Sequence, residues 1–193
     1  MNISIMINEE DHLRIQVLSA GFDIDNLMNF AIEIDEKLSK NLDYAYSEKY
    51  GFLTACPTNV GTGLRASVMV HLPALTKTGN IQKILEVINN LGMNIRGVYG
   101  EGTKAYGDMY QVSNKISLGI TNKEIITNVK SIANKLIEQE RNAREFLKSK
   151  GVDFEDRILA DGLVKNVSIR GLPKKKNTNE ASKQIPICRE QKT

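Results

Sequence analysis

The sequence predicts an α+β domain: a mainly antiparallel β-sheet with helices packed on one face. Three observations predict it. Alternating apolar runs of strand length outnumber helical ones, the elements follow the order β-β-α-β-α-β-β-α, and hairpins interrupt what would otherwise be the βαβ units of a parallel sheet.

The first run, NISIMI at 2–7, sets Ile3, Ile5 and Ile7 on one side, and a second alternation follows at Leu13, Ile15 and Val17. Between them lies Asn8-Glu9-Glu10-Asp11-His12, polar and turn-prone, so the pair reads as a hairpin or a sharply bent strand. Leu27, Phe30, Ala31, Ile34 and Leu38 recur at helical spacing over 25–39, with Asp23 or Asp25 available as a cap. A strand is predicted over 64–72, where Leu64, Ala66, Val68, Val70 and Leu72 alternate up to Pro73. Residues 80–91 carry Ile81, Ile84, Leu85, Ile88 and Leu91 on one helical face, closed by Gly92. Two more strands are predicted at 93–99 and 109–119. Thr121-Asn122-Lys123-Glu124 is a capping box, and Ile125, Val129, Ile132, Leu136, Ala143 and Phe146 extend one apolar face to about residue 149. Lys148, Lys150 and Gly151 suit the end of that helix. Beyond it the period is lost. Residues 161–193, with two prolines and a lysine triplet, read as a basic flexible tail after a domain at 1–160.

Composition excludes several classes. With 41% hydrophobic and 25% charged residues in 193, the chain has the profile of a globular protein. No apolar run reaches the ~18 residues of a membrane helix. The opening MNISIMINEEDH lacks the basic region of a signal peptide, so the expected location is cytoplasmic. Cys56 and Cys188 match no metal spacing, no metal site is predicted, and both cysteines are expected to be reduced. The net charge of +3 belongs to the tail: residues 164–193 hold eight Lys/Arg against two acids, while the remainder holds 18 against 21. A nucleic-acid interface needs a basic patch on the folded body, and that patch is missing.

Three groups of residues can carry chemistry. The glycine-rich GTGLRAS (61–67) lacks the Gly-Lys-Ser/Thr ending of a P-loop, and GEGTKAYG (100–107) is not a dinucleotide fingerprint. Each, taken singly, reads as a turn. Arg14, Arg65 and Arg96 all fall in strand patterns beside turns. One such arginine ordinarily faces solvent, but three on sheet elements can form a rigid clamp for polyphosphate, because each guanidinium fork holds two oxygens. Glu9, Glu10 and Asp11 make a like-charged cluster, either a solvated turn or a site for a cationic group, and Glu101 raises the same question from a Gly-Glu-Gly loop.

Together these segments resemble a known family. Asn8-Glu9-Glu10-Asp11-His12-Leu13-Arg14, followed by Cys56-Pro57-Thr58-Asn59-Val60-Gly61-Thr62-Gly63-Leu64-Arg65-Ala66, resembles the two signatures of the ATP:guanido phosphotransferases, the phosphagen kinases. Arg96-Gly97-Val98-Tyr99-Gly100-Glu101-Gly102 resembles the bacterial protein-arginine kinases of the McsB type more than the kinases of creatine or free arginine. The resemblance runs from residue 1 to about 160 and implies the guanido kinase, or glutamine synthetase-like, catalytic fold.

It also implies roles. Glu10 matches the carboxylate that binds the substrate guanidinium and acts as its base, and Glu101 a second substrate-facing carboxylate. Cys56 matches the reactive cysteine beside the guanidinium. Arg14, Arg65 and Arg96 match the arginines that grip nucleotide phosphates. Arg65, Ala66, Ser67, Val68 and Met69, with Arg96, Gly97, Val98, Tyr99, Gly100 and Glu101, match the nucleotide-binding segments. The implied ligands are ATP, with Mg²⁺ carried by the nucleotide, and an arginine-containing protein. Chemistry agrees with these roles: a guanidinium stays protonated and is a poor nucleophile, so carboxylates must align it and take its proton, while arginines and Mg²⁺ neutralise the phosphates. The family's upstream Ser-Ser-Arg-x-Arg segment and nucleotide-contacting histidine have no counterpart here, nor has the Arg-Asp-x-x-Arg-Ala motif of the bacterial branch. The expectation is therefore an N-terminally incomplete catalytic domain with little or no transfer activity alone. The alternatives are a non-catalytic nucleotide-binding remnant, self-associating or paired with a complete kinase, and a free-guanidino phosphagen kinase.

Overall fold

A computed structural model describes residues 1–97, 106–152 and 165–171. Six strands form one sheet in the order β1-β2-β8-β5-β7-β6, and every neighbouring pair is antiparallel. They are β1 (Asn2–Ile7), β2 (Leu13–Ser19), β5 (Leu64–His71), β6 (Met93–Gly97), β7 (Met109–Asn114) and β8 (Lys165–Gly171). The two-residue strands β3 (Tyr46–Ser47) and β4 (Gly51–Phe52) make a separate small hairpin. Four helices complete the described chain: α1 (Ile24–Ser39), α2 (Pro73–Lys77), α3 (Ile81–Asn90) and α4 (Asn122–Ser149).

The alternation read from sequence decides which face of the sheet is buried. Ile15 and Val17 of β2, Leu64, Ala66, Val68 and Val70 of β5, Met93 and Ile95 of β6 and Val112 of β7 are all buried on the helix side. Against them pack Ile24, Leu27 and Ala31 of α1, Ile81 and Ile88 of α3, and Ile125, Val129, Ala133 and Leu136 of α4. Each fully buried valine, leucine or isoleucine among them contributes about 2 kcal/mol of transfer free energy. The opposite face carries Arg14, Gln16, Arg65, Ser67, Met69, Arg96 and Gln111. Gln111 is the register partner of both Met69 and Arg96, so the polar residues of β5, β6 and β7 share one face.

The predicted fold class holds, with differences at particular elements. The strand expected over 64–72 stops at His71, because Pro73 opens the five-residue helix α2. The strand expected at 109–119 ends at Asn114. There the Asn114 side chain takes over backbone pairing: its Oδ1 accepts from the Ala66 N–H at 2.8 Å, and its amide donates to the carbonyls of Leu64 and Ile116 at 3.0 Å each. Residues 98–99 of the strand expected at 93–99 lie outside the described residues. The largest difference concerns the segment read as a flexible tail: Lys165–Gly171 is a strand at the centre of the sheet, paired with β2 on one side and β5 on the other. Its period was hidden because only Val167 and Ile169 alternate in a polar stretch, and its pairing partners lie about 100 residues or more away in the chain.

Two carboxylates, one buried and one exposed, secure the starts of helices. Glu140 on α4, 4% exposed, accepts from the backbone N–H of Ala74 and Leu75 at 3.0 Å each and from Arg144 Nε at 2.8 Å, which satisfies the start of α2. At the start of α4 the capping box is present as read: Thr121 Oγ1 accepts from the Glu124 N–H at 3.2 Å, and Glu124 Oε2 accepts from the Thr121 N–H at 2.8 Å. Among the described residues no helix is long and apolar enough to cross a membrane.

Hydrogen bonds from Thr121 hold the Glu124 carboxyl below its usual value of 4.5. The folded form therefore binds this proton less readily than the unfolded chain, so stability rises with pH across the titration. The contribution is complete above about pH 4.5 and is lost as pH falls through the folded value. Thermal melts of the native chain and Glu124→Gln should differ at pH 7 and converge toward pH 3.

Candidate active site

The sheet topology brings three loops to one end. β2 and β5 both run antiparallel to β8, so both begin at the same end of the sheet, and β7, antiparallel to β5, finishes there. The turn at 8–12 leads into β2, the loop at 56–63 leads into β5, and the chain after Asn114 leaves β7 beside them. Glycine is required at one point of this junction. Gly61 has φ of 113°, and a Cβ there would collide with the backbone carbonyl of Ser117. The loops are strapped together at that contact: Thr62 N–H donates to the Ser117 carbonyl at 3.0 Å, and Ser117 Oγ lies 2.9 Å from the carbonyls of both Thr58 and Val60.

The carboxylate cluster divides into two environments. Glu9 and Glu10 are exposed, whereas Asp11 is 1% exposed. Asp11 Oδ1 accepts from the Ala55 N–H at 2.6 Å and Oδ2 from Asn59 Nδ2 at 3.2 Å, and the same Asn59 amide lies 3.5 Å from Glu10 Oε2. Asn59 is itself buried, in the 3₁₀ turn Pro57–Asn59 that follows Cys56. The Cys56 Sγ and Thr58 Oγ1 are 3.0 Å apart, and the Thr54 hydroxyl donates to the Cys56 carbonyl at 2.7 Å. Asp11 and Asn59 thus lock the turn bearing Glu10 onto the loop bearing Cys56, across 48 residues of sequence. Reading the sequence alone treats Asp11 as one of three like charges and overlooks Asn59. Only the proximity of the two loops separates them.

The arginines stand on the polar face of the sheet. Arg14 Nη1 bonds Glu9 Oε2 at 3.0 Å, and the Gln16 carbonyl, in the amide orientation that satisfies both groups, accepts from Arg14 Nε and Nη2 at 3.2 and 2.8 Å. Arg96 Nε donates to Gln111 Oε1 at 3.3 Å, and Gln111 Nε2 donates to Ser67 Oγ at 2.9 Å, which links β6, β7 and β5. Arg65 lies between these groups on β5, half-buried. Gln16 and Gln111, absent from the residues singled out by sequence, orient two of the three guanidinium groups. Ala66 and Val68 face the core rather than this surface; Ser67 and Met69 share the face of Arg65. Gly97 ends β6, while Val98, Tyr99, Gly100 and Glu101 lie outside the described residues.

Such an arrangement suits anion binding on the sheet and cation binding at the loop end. Guanidinium groups fixed by side-chain amides lose little freedom on gripping phosphate oxygens, and an exposed carboxylate beside a thiol can hold a cationic acceptor. Comparison with known proteins gives the class. Residues 1–143 match the family model for the ATP:guanido phosphotransferase C-terminal catalytic domain, and the chain belongs to that family. It is 56% identical over 157 residues to a protein-arginine kinase of Halothermothrix orenii, covering 81% of this chain and 45% of that protein. Against the protein-arginine kinase of Bacillus subtilis it is 50% identical over 157 residues, covering 81% and 43%. Among solved structures, lombricine kinase superposes with a TM-score of 0.64 at 33% identity, covering 82% of this chain and 43% of that one. The substrate-free duplicated taurocyamine kinase of Schistosoma mansoni gives 0.65 at 36% identity, covering 76% and 20%. The chain spans about half the length of the curated relatives it matches.

Removing the Asp11 carboxylate would leave the Ala55 N–H and the buried Asn59 amide without this acceptor, at a cost of about 2 kcal/mol. Asp11→Ala should lower the urea midpoint accordingly. Asp11→Asn should recover only part of it, since one amide oxygen can replace Oδ1 but the amide nitrogen would oppose the Asn59 donor.

Proposed function

We propose that this chain carries acceptor and phosphate sites for ATP-dependent phosphoryl transfer to the guanidinium of arginine residues in proteins. The observation that carries this reading is the Asp11–Asn59 lock, which sets Glu10 beside the Cys56 loop at the sheet end where the strands of Arg14 and Arg65 begin. The names of the curated relatives support the choice of a protein substrate. Glu10 aligns the acceptor guanidinium and takes its proton as the N–P bond forms and the bond from the γ-phosphorus to the ADP oxygen breaks. Arg14, Arg65 and Arg96 hold the phosphates and balance the charge that shifts onto the leaving oxygen. Cys56, on the locked loop, faces the same guanidinium, and Glu101 adds a second carboxylate. Mg²⁺ enters with ATP as part of the substrate and neutralises its phosphates. The reaction is placed in the cytoplasm, where ATP and Mg²⁺ are supplied.

A second reading, nucleotide binding without transfer, draws on the arginines alone, since Gln16 and Gln111 on the sheet orient Arg14 and Arg96 without the Cys56 loop. One experiment separates the two. Purified chain is incubated with labelled ATP, Mg²⁺ and an arginine-rich unfolded protein, and acid-labile phosphate on the protein is counted. Label that disappears in Glu10→Ala supports transfer; ATP binding with no label in the native chain supports the second reading. Label on free arginine but not on protein would assign the chain to free-guanidino substrates instead.

A further inference from the structure

Two arginines of the polar face are held in different ways. Each nitrogen of the Arg14 guanidinium has a protein acceptor: Nη1 bonds Glu9, and Nε and Nη2 bond the Gln16 amide oxygen. On Arg96, among the described residues, only Nε has one, the Oε1 of Gln111 at 3.3 Å. A bond to Nε orients the guanidinium and leaves the edge formed by Nη1 and Nη2 open. That edge can meet two oxygens of one phosphate at once.

Gln111 is itself anchored. Its Nε2 donates to Ser67 Oγ at 2.9 Å, and Ser67, on β5, is 3% exposed. With Nε2 committed to Ser67, the amide turns its oxygen toward Arg96. The register explains the reach. Gln111 pairs with Arg96 on one side and Met69 on the other, which puts Ser67 at the diagonal position, within range of a long side chain. Arg96 stands on β6, at one end of the described strand order. A long side chain on such a strand loses conformational freedom when it grips a ligand, and the chain of contacts from Ser67 through Gln111 removes part of that freedom beforehand. We propose that Gln111 is a positioning residue of the nucleotide site: anchored on Ser67, it presents the open edge of Arg96 to a phosphate of the nucleotide. Gln111 acts through Arg96 and need not touch the nucleotide. This rests on the nucleotide reading above.

The test is a double-mutant cycle on ATP affinity, measured by calorimetry with the full chain and Mg²⁺. It compares the native chain, Gln111→Met, Arg96→Ala and the two changes together, with melting temperatures in parallel. Methionine keeps an unbranched side chain but has no amide. The expected result is an ATP affinity about 5-fold weaker in Gln111→Met, the equivalent of one net hydrogen bond. The same change should have no further effect once Arg96 is replaced. Inorganic tripolyphosphate, which lacks the nucleoside, should show the same loss. A role confined to sheet stability would lower the melting temperature and leave the affinity of the folded chain unchanged. Native affinity in Gln111→Met therefore overturns the proposal, and so does an equal loss with and without Arg96. If Gln111→Met does not fold, Gln111→Asn, one methylene too short to span both partners, is read by the same outcomes. Arg65→Ala separates this proposal from the nucleotide reading. Weakened binding there, with native affinity in Gln111→Met, keeps the nucleotide reading and rejects this one. A native chain that binds no ATP rejects both.

Discussion

The sheet is one object because of β8. Among the described strands the hairpin β1–β2 is joined to the β5–β7–β6 block through this one, which pairs over its whole length with β2 and over residues 165–169 with β5. A central strand buries its backbone polar groups on two sides, and they must be paired in the sheet because water cannot reach them. Everything on the polar face inherits its spacing from that pairing: Arg14 on one side, Arg65 on the other, and the loops that precede each strand. The helices cover the opposite face, where α1 packs on β2 and β8, and α4 on β5 and β7. Beyond them the edge strand β1 leaves Ile3, Ile5 and Ile7 exposed.

At the end of the sheet the arrangement is tightened by short polar contacts rather than by apolar packing. A buried aspartate, a buried asparagine and a serine hydroxyl join three loops that share no sequence neighbourhood. Hydrogen bonds to an ionised group are about twice as strong as neutral ones, and they are directional. They therefore define relative loop position more narrowly than hydrophobic contact could. It is what the proposed phosphoryl transfer would require, since catalysis of that reaction rests on alignment of donor and acceptor and on charge stabilisation. Gly61 allows the closest of these approaches because it has no Cβ to meet the Ser117 carbonyl.

Much of the fold was legible because most elements announce themselves locally. The alternation of Leu64 to Val70 and the four-residue capping box at Thr121 need no distant partner to be recognised. The elements that were missed or misjudged are those whose signal is non-local. Lys165–Gly171 has only two alternating apolar residues, and its partners are β2 and β5. Asp11 looks like the third member of a solvated acidic turn until Ala55 and Asn59 are brought to it. Gln111 is an ordinary strand glutamine in sequence, and only its register opposite Arg96 makes it an orienting group; Gln16, two residues from Arg14 on the same strand face, is the local exception.

The amino-acid sequence by itself determined the periodicities, the turns, the capping box and the ordered signatures around Glu10 and Cys56, because each depends on residues within a few positions of one another. Tertiary structure decided which carboxylate is buried, that Gln111 holds Arg96, and which segment closes the sheet. Those outcomes depend on contacts between residues 15 or more apart in the chain, and no local spacing encodes them. The reason is physical: a strand or a polar side chain takes its role from the partner that satisfies its hydrogen bonds, and that partner exists only once the chain has folded.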